Sequence, residues 1–319
     1  MTRDLSDLEH LLDAAEVLRD IQARRPAIAL FHSEIALSAT GRTAVFRGHY
    51  DGAPAVLTLF HGEDHAERAR RQKRALERLE AMLADGPFRI APLVGSWPGE
   101  GVTVTADVAG ESLEAAIAAA ATPGERDALL SDAGEWLARI VAASQRQVVF
   151  GGRHWAQAAT RKLGRVGAHQ GRPLADALAT RIEALLPTVA GKPVTQAQSH
   201  GDFRPATLVR ADGALCGIGL QSLHALPVVR DLARFLVALH LAHPRPGGRQ
   251  RFGVGAKDIE ALAAPLTILD RRERALHLPF FIGIELADVL GRGDLGPAEE
   301  AAVQGAVSHF LKGEAAPLL

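Results

Sequence analysis

The sequence predicts an α+β protein of two lobes, in which a small β-rich N-terminal lobe precedes a larger, mainly helical C-terminal lobe. Runs with strand character, separated by turn residues, concentrate between residues 43 and 105. Helical periodicity of apolar residues dominates from Asp127 onward. A chain of 319 residues is long enough to build two such lobes. We therefore expect a cleft between them, where a ligand would bind.

Composition and charge exclude several functional classes. Hydrophobic residues make up 47% and charged residues 23%, as in ordinary globular proteins. The net charge of −1, from 36 Lys+Arg and 37 Asp+Glu, gives no global attraction for nucleic acid. Apolar runs such as 235–239 are too short for membrane insertion. The start of the chain lacks a secretory signal, and Cys216 is the single cysteine, so we expect a cytoplasmic protein without intrachain disulfides.

Residues 1–32 are predicted to form an N-terminal helical extension. Apolar residues recur at helical spacing from Leu5 to Arg24, and Pro26 ends the helix. The predicted N-lobe covers residues 33–107 and contains a sheet and one helix. Its clearest feature is a hairpin in which the strand runs 43–50 and 55–60 flank Asp51-Gly52. A charged helix over about 64–84 and strands near 90–94 and 102–105 complete the lobe.

Residues 108–319 are predicted to form the helical C-lobe, with a catalytic-loop hairpin at 200–221 inside it. One helix covers about Leu174 to Leu186 and is predicted to stop at Pro187. The hairpin turns at Asp212-Gly213. Further helices are expected over 127–144, 231–242, 258–269, 271–290 and 297–311.

An ordered set of motifs in this C-lobe carries the strongest functional signal. The segment 200–207 reads His-Gly-Asp-Phe-Arg-Pro-Ala-Thr, the predicted hairpin follows, and Asp231-Leu232-Ala233 opens a helix. This order resembles the aminoglycoside phosphotransferase and choline kinase families, which share the protein-kinase-like fold. The resemblance extends from about Leu37 to Leu311. It implies an ATP-dependent transfer of phosphate to a hydroxyl group.

The resemblance gives roles to residues of the loop. Asp202 falls where such kinases position the acceptor hydroxyl and take its proton, although a loop-capping aspartate would bond nearby amides instead. His200 belongs to the same catalytic motif, and we predict a structural, hydrogen-bonded histidine there rather than a base. Arg204 is placed to meet a phosphate or an acidic ligand, and a salt bridge within the loop is the alternative. Asp231 is expected to tie its helix to the loop.

Two positions depart from the magnesium site that the resemblance implies. Thr207 stands where the family has an asparagine that ligates the metal, and Gly219 stands where the hairpin should supply an aspartate. Gln221 and Asp212 are the nearest polar residues, but one is neutral and the other lies in the turn. We therefore predict no ordinary metal site. Pairs such as His61 with His65 lack a third ligand for zinc, and Cys216 is expected in the core.

The nucleotide-binding positions of the N-lobe depart as well. Thr58 replaces the lysine that would clamp phosphates, and Gln72 replaces its glutamate partner, with Glu67 as another possible partner position. The phosphate-covering turn at 38–43 has a single glycine, Gly41. Arg42 is either a replacement cation or an exposed turn residue. Thr105 and Ala106, at the connector between the lobes, complete the predicted cofactor-binding positions.

These departures lead to two functional hypotheses. The first is a pseudokinase with impaired or absent phosphoryl transfer, acting as a ligand-binding, regulatory or scaffold protein that binds ATP, if at all, without the usual magnesium site. Loss of one charge-stabilising group costs about two to three decades in rate, and several groups are replaced here. The alternative is an active ATP-dependent O-phosphotransferase for a small hydroxylated molecule. Acceptor-specific residues would lie in the helical lobe, at Trp155, His169 and 240–252.

Overall fold

The computed structural model describes residues 5–167, 171–220 and 225–313. The chain forms two compact units. The first consists of Met1–Glu111 and Val209–Leu223, and the second of Ser112–Leu208 and His224–Leu319. The first unit is therefore discontinuous in sequence. The mixed α+β class is confirmed, with the large sheet in the first unit and most helices in the second.

A five-stranded antiparallel sheet forms the centre of the first unit. Its strands are β1 (Phe31–Ala39), β2 (Thr43–Tyr50), β3 (Ala53–Phe60), β5 (Leu93–Trp97) and β6 (Val102–Ala106), in the order β1-β2-β3-β6-β5. The predicted β2–β3 hairpin is confirmed. Asp51 and Gly52 have φ values of 49° and 79°, so the turn uses the left-handed conformations for which Asp-Gly is suited.

Helices cover both faces of this sheet. The predicted N-terminal helix α1 (Leu5–Arg24) is confirmed, and Pro26 begins a short helix α2 (Pro26–Ala29). The buried side of α1 packs with α2 against alternate sheet residues, among them Leu57 and Leu59. The other face carries Thr58 and Thr103, which are paired in register. Helix α3 (His65–Met82) lies against that face, because its Gln72 is bonded to Thr103.

A second sheet contains the predicted catalytic-loop hairpin. Its strands are β4 (Phe88–Ile90), β7 (Glu111–Ser112), β10 (Leu208–Ala211) and β11 (Ala214–Gly217), in the order β4-β11-β10-β7. We expected the whole hairpin, 200–221, to belong to the helical lobe. Residues 209–223 instead group with the first unit, because β11 pairs in parallel with β4.

The second unit is built around helix α10 (Leu278–Leu290), which is buried along nearly its whole length. Around α10 lie α6 (Arg153–Leu163), α7 (Arg172–Val189), α8 (Val228–Ala242) and α11 (Pro297–Lys312). The remaining helices are α4 (Leu113–Ala119), α5 (Pro123–Ala142) and α9 (Ala256–Ala263). Small strands complete the unit: β8 (Arg146–Val149), β9 (Pro193–Gln198) and β12 (Ala225–Pro227) in one sheet, and β13 (Gln250–Arg251) with β14 (Val254–Gly255) in another.

Two predicted helix boundaries are wrong. Helix α7 continues through Pro187 to Val189. Proline removes one main-chain donor, and this loss is tolerated because it falls in the last turn, next to the buried Val189. Helix α9 ends at Ala263, before the predicted end at Leu269. The predicted bounds 271–290 are confirmed, and this helical segment contains a π-helical turn at Glu273–His277 before α10 begins. Across the described parts of the chain, no helix is long and apolar enough to cross a membrane.

Candidate active site

The predicted catalytic loop follows β9 and is anchored to helix α8. One carboxylate oxygen of the buried Asp231, Oδ2, accepts hydrogen bonds from the main-chain amides of His200 at 3.0 Å and Gly201 at 3.5 Å. Gly201 has a φ of +84°, which a side chain would strain. His200 is fully buried beside Trp136, and its Nδ1 accepts the amide of Asp202 at 3.3 Å. The conformation of the loop is therefore fixed by hydrogen bonds from its main chain to the side chain of Asp231 and by the burial of His200.

Two arginines bind the carboxylate of Asp202, one on each oxygen. Arg204 Nη2 donates to Oδ2 at 2.7 Å, and Arg234 Nε donates to Oδ1 at 2.8 Å. The salt bridge within the loop that we considered for Arg204 is thus present. The sequence analysis missed Arg234, although it follows Asp231 by three residues. That spacing places the two side chains on one face of α8, which was the available signal.

A buried carboxylate holds Arg234 from its other side. Glu285 of α10 lies 3.4 Å from Arg234 Nη1 and 3.4 Å from Arg230 Nε. Arg230 also lies over the ring of Trp155, 5.2 Å from its centroid, and so ties this predicted specificity residue to the cluster. Burial raises the pKa of Glu285 to about 7, although Arg234 and Arg230 act to lower it. Burial lowers the pKa of Arg234, but Glu285 and Asp202 outweigh it, so the pKa is raised overall.

The side chain of Thr207 is engaged with the loop's own main chain. Its Oγ1 accepts the amide of Arg204 at 3.1 Å and lies 3.0 Å from the carbonyl oxygen of Asp202 and 2.9 Å from that of Arg204. The hydroxyl therefore stabilises the turn after Asp202. It does not supply the amide oxygen that the family resemblance implies for a metal.

Gly219 also does not fit a metal-ligand role. Its φ is +68°, and the position of a Cβ would face open space. Space is thus available for a side chain, but the left-handed backbone favours glycine. Asp212 lies in the β10–β11 turn with a φ of 49°, and Gln221 lies outside the described residues. Within the described ranges, no group of three or more His, Cys, Asp or Glu residues is arranged to hold a metal ion.

A neutral hydrogen-bonded bridge occupies the predicted lysine–glutamate position in the first unit. Gln72 is buried, its Nε2 donates to the carbonyl oxygen of Leu220 at 3.0 Å, and its Oε1 accepts from the hydroxyl of Thr103. Thr58 is the sheet neighbour of Thr103 and is half-buried. The alternative partner, Glu67, faces solvent and pairs with Arg71 at 2.7 Å. Of the two candidate partner positions, Gln72 is therefore the one that faces the sheet.

The turn between β1 and β2 is held by two arginines. Arg42 is exposed and pairs with Asp64 at 2.6 Å. Arg68, which the sequence analysis did not single out, donates to the carbonyl oxygen of Arg42 at 2.7 Å and to Thr43 Oγ1 at 2.7 Å. Burial and the neighbouring Arg42 lower the pKa of Arg68. Gly41 lies close to His10, which would meet a Cβ at 3.3 Å.

The remaining predicted positions have structural partners. Thr105 pairs with Val56 in the sheet, and the amide of Ala106 donates to the carbonyl oxygen of Pro92 at 2.9 Å. Burial raises the pKa of Cys216 to about 11, as expected for a thiol in the core. His169 lies outside the described residues. The cofactor and acceptor roles of these positions stay predictions.

A pocket of about 490 Å³ lies within the second unit, next to the catalytic loop. Its lining comes mainly from α8, α10 and α11, and it includes both arginines that bind Asp202. Its charged lining residues are Arg204, Arg234, Arg292, Glu114, Glu285, Asp288 and Glu299. Val237, Ala238 and Leu241 supply an apolar wall. A small polar molecule fits such a pocket in both size and chemistry.

Solved structures to which this chain is similar in fold include kinases and phosphotransferases. A glucosamine kinase is 17% identical with a TM-score of 0.55, covering 93% of this chain and 84% of that one. The amicoumacin kinase hAmiN, in complex with AMP-PNP, Ca2+ and Ami, is 12% identical with a TM-score of 0.57, covering 92% and 96%. The macrolide 2'-phosphotransferase MphH from Brachybacterium faecium is 19% identical with a TM-score of 0.51, covering 92% and 98%.

The sequence itself gives a family match. No curated protein matches the chain significantly. A profile of the phosphotransferase enzyme family matches residues 33–218, which is more than half of the chain and contains the loop around Asp202. Together with the fold, this match means that the chain belongs to the phosphotransferase enzyme family.

Proposed function

We propose that the protein is an ATP-dependent O-phosphotransferase whose acceptor is a small hydroxylated molecule bound in the pocket of the second unit. One observation carries the proposal: the arginines that bind Asp202 also line that pocket. A molecule in the pocket would thus contact the same arginines that hold the carboxylate. Several solved structures with this fold are named as kinases of small molecules, one of them in complex with glucosamine, ADP and inorganic phosphate. Because ATP is the donor, a cytoplasmic location is part of the proposal.

In the proposed reaction, the acceptor oxygen forms a bond to the terminal phosphorus of ATP. The bond between that phosphorus and the oxygen of the ADP leaving group breaks, and the hydroxyl proton passes to Asp202. Such transfer depends on positioning and on neutralisation of negative charge. Since Thr207 and Gly219 do not fit the usual metal site, the guanidinium groups of Arg204 and Arg234 are the cations available beside Asp202.

A second candidate is a pseudokinase that binds a ligand or partner without efficient transfer. The specific observation in its favour is the neutral bridge from Gln72 to Thr103 and Leu220, at the position where a lysine–glutamate pair is expected. A neutral bridge offers no cation to the phosphates of a nucleotide. The loss of one such group lowers rates by about two to three decades.

The two candidates are separated by measuring binding and turnover on the same preparation. The protein is titrated with ATP by calorimetry, with Mg²⁺ and with EDTA, and is then incubated with ATP and a panel of sugars, amino sugars and amino alcohols. ³¹P NMR detects new phosphate esters. A product that Asp202→Asn abolishes supports the phosphotransferase. ATP or acceptor binding without any product, in either buffer, contradicts it and favours the second candidate.

A further inference from the structure

Each oxygen of Asp202, the proposed general base, accepts a hydrogen bond from an arginine. We call the group of Arg204, Asp202 and Arg234 the arginine latch. The carboxylate accepts one charge-assisted hydrogen bond at 2.7 Å and another at 2.8 Å, and its side chain is 19% exposed. To receive a hydroxyl proton, an oxygen of Asp202 has to come within hydrogen-bond reach of the acceptor, but the pocket is lined by both arginines and not by Asp202 itself. One of the two arginines must therefore move when the acceptor binds.

The two arginines differ in how firmly they are held. Arg234 is about one-quarter exposed and is bound from behind by the buried Glu285, so its guanidinium is fixed between two carboxylates. Arg204 lies on the loop, and its side chain is 44% exposed. A long, exposed arginine side chain reorients at low cost. Arg204 is thus the member of the arginine latch that moves.

Most acids of the pocket are paired with lysine or arginine side chains. Asp288 binds Lys162 at 2.7 Å, and Glu299 pairs with Arg292. Glu114 lies 3.8 Å from His243.

At the latch, Arg204 and Arg234 both bind Asp202, and Arg234 is also held by Glu285. Because the pKa of Glu285 is raised to about 7, part of the Glu285 carboxylate is uncharged near neutral pH, and the negative charge beside Arg234 is reduced. An incoming anion therefore competes with Asp202 for the guanidinium groups of the latch.

We propose that the pocket recognises an anionic group of its ligand, a carboxylate or a phosphate, through Arg204 and Arg234, and that this group draws Arg204 away from Asp202. Planar guanidinium groups suit such oxyanions because they donate two parallel hydrogen bonds. The inference deepens the proposed function: the acceptor is a hydroxylated acid or a phosphorylated sugar, and its own charge frees the base. A neutral molecule of the same shape leaves the latch closed.

Four sugars of one skeleton isolate the charge of the ligand: glucose, glucosamine, glucuronate and glucose 6-phosphate. We expect glucuronate or glucose 6-phosphate, measured by calorimetry at low ionic strength, to bind about tenfold or more tightly than glucose and glucosamine. Preference between the two anions distinguishes a carboxylate from a phosphate. The proposal is overturned if neither anion exceeds glucose, or if glucosamine binds most tightly, which would point to Glu114.

Two variants test the latch in opposite directions. Arg204→Gln should weaken anion binding about tenfold, because one charged hydrogen-bond donor is lost. Asp202→Asn should tighten it several-fold, because the competing carboxylate charge is removed. The matched control is Arg139→Gln, an exposed arginine on α5 that pairs with Glu135 away from the pocket lining, and it should leave binding unchanged. Equal effects of Arg204→Gln and Arg139→Gln would contradict the proposal.

Binding and turnover can fail independently. Arg204-dependent anion binding without phosphate esters would uphold the latch and contradict the phosphotransferase. Phosphorylation of glucose or glucosamine, with no preference for anions, would do the reverse. An additional titration with ATP alone identifies the other source of an anion: Arg204-dependent binding of ATP but of neither anionic sugar would assign the arginine to the nucleotide and overturn the proposal for the pocket.

Discussion

At the scale of single residues, the residue at the predicted glutamate position is neutral, and both the donor and the acceptor of its amide are hydrogen-bonded. Gln72 can both donate to the carbonyl oxygen of Leu220 and accept from Thr103, which a glutamate cannot do in its charged form. A buried charge without its partner would be costly. The amide at position 72 therefore matches a sheet that carries Thr58 in place of a cation.

This match predicts the effect of restoring the acid. Gln72→Glu should lower the free energy of unfolding by about 1–3 kcal/mol at pH 7, because a carboxylate would face the carbonyl oxygen of Leu220. Urea denaturation measures the loss. Adding Thr58→Lys should recover part of it by supplying a cation. Glu67→Gln, on the solvent side of the same helix, is the control and should change stability little; an equal loss there would argue against the bridge.

At the scale of elements, the π-helical turn before α10 contains a buried histidine. His277 is fully buried, lies 5.3 Å from the ring centroid of Phe150, and has no recorded hydrogen-bond partner on either ring nitrogen among the described residues. Burial lowers its pKa to about 4, although Asp270 acts to raise it. The folded state thus disfavours the protonated form.

The sign of the pH dependence follows from this shift. Above a pH of about 6.5, His277 is neutral in both folded and unfolded chains and has no acid-dependent effect. As the pH falls from about 6.5 towards 4, the unfolded chain binds the proton first, so stability decreases. Between neutral pH and pH 5, we expect the free energy of unfolding of His277→Phe to fall by roughly 1–2 kcal/mol less than that of the parent, as measured by urea denaturation. The exposed His309→Asn should keep the acid dependence of the parent; if His277→Phe keeps it too, the assignment fails.

Elements defined by local signals were predictable from the sequence, and those defined by distant partners were not. Asp51-Gly52 specifies its hairpin by itself, and the periodicity of α1 identifies that helix. Strand β1 has no regular alternation of buried residues, and its pairing with β2 contains two register shifts. The parallel pairing of β4 with β11 joins segments far apart in sequence, and no local sequence pattern predicts it.

The candidate site divides in the same way. The sequence placed Asp202, Arg204 and Asp231 correctly in one neighbourhood, because the motif order carries that information. The sequence did not reveal Glu285, because its contact partner Arg234 lies 51 positions away on another helix. It also left open whether Gln72 or Glu67 faces the sheet, since that depends on the rotation of α3.

At the scale of the whole molecule, the first unit needs a segment that follows much of the second in sequence. Strand β11 pairs with β4 in the sheet, and the carbonyl oxygen of Leu220 accepts a hydrogen bond from the buried side-chain amide of Gln72. A fragment of residues 1–111 would leave Phe88, Ile90 and that amide without these contacts.

We therefore expect the 1–111 fragment to expose apolar surface and unfold non-cooperatively, whereas joining it to residues 208–220 through a flexible linker restores a cooperative transition. Circular dichroism and binding of an apolar dye measure both. The control fusion carries Leu215→Asp in β11, which should abolish the rescue. A fragment of residues 1–111 that unfolds as sharply as the rescued fusion would show that the hairpin is dispensable.

The discontinuity of the first unit also sets an order of events on the ribosome. The residues after Glu111 must be translated through Gly217, the end of β11, before that strand can pair with β4. At about 5–20 residues per second, this delay lasts roughly 5–20 seconds. During that time the nascent sheet of the first unit exposes the β4 edge while the segments of α4 to α7 emerge. We expect folding during synthesis to depend on chaperones and to be sensitive to pauses in translation between these segments.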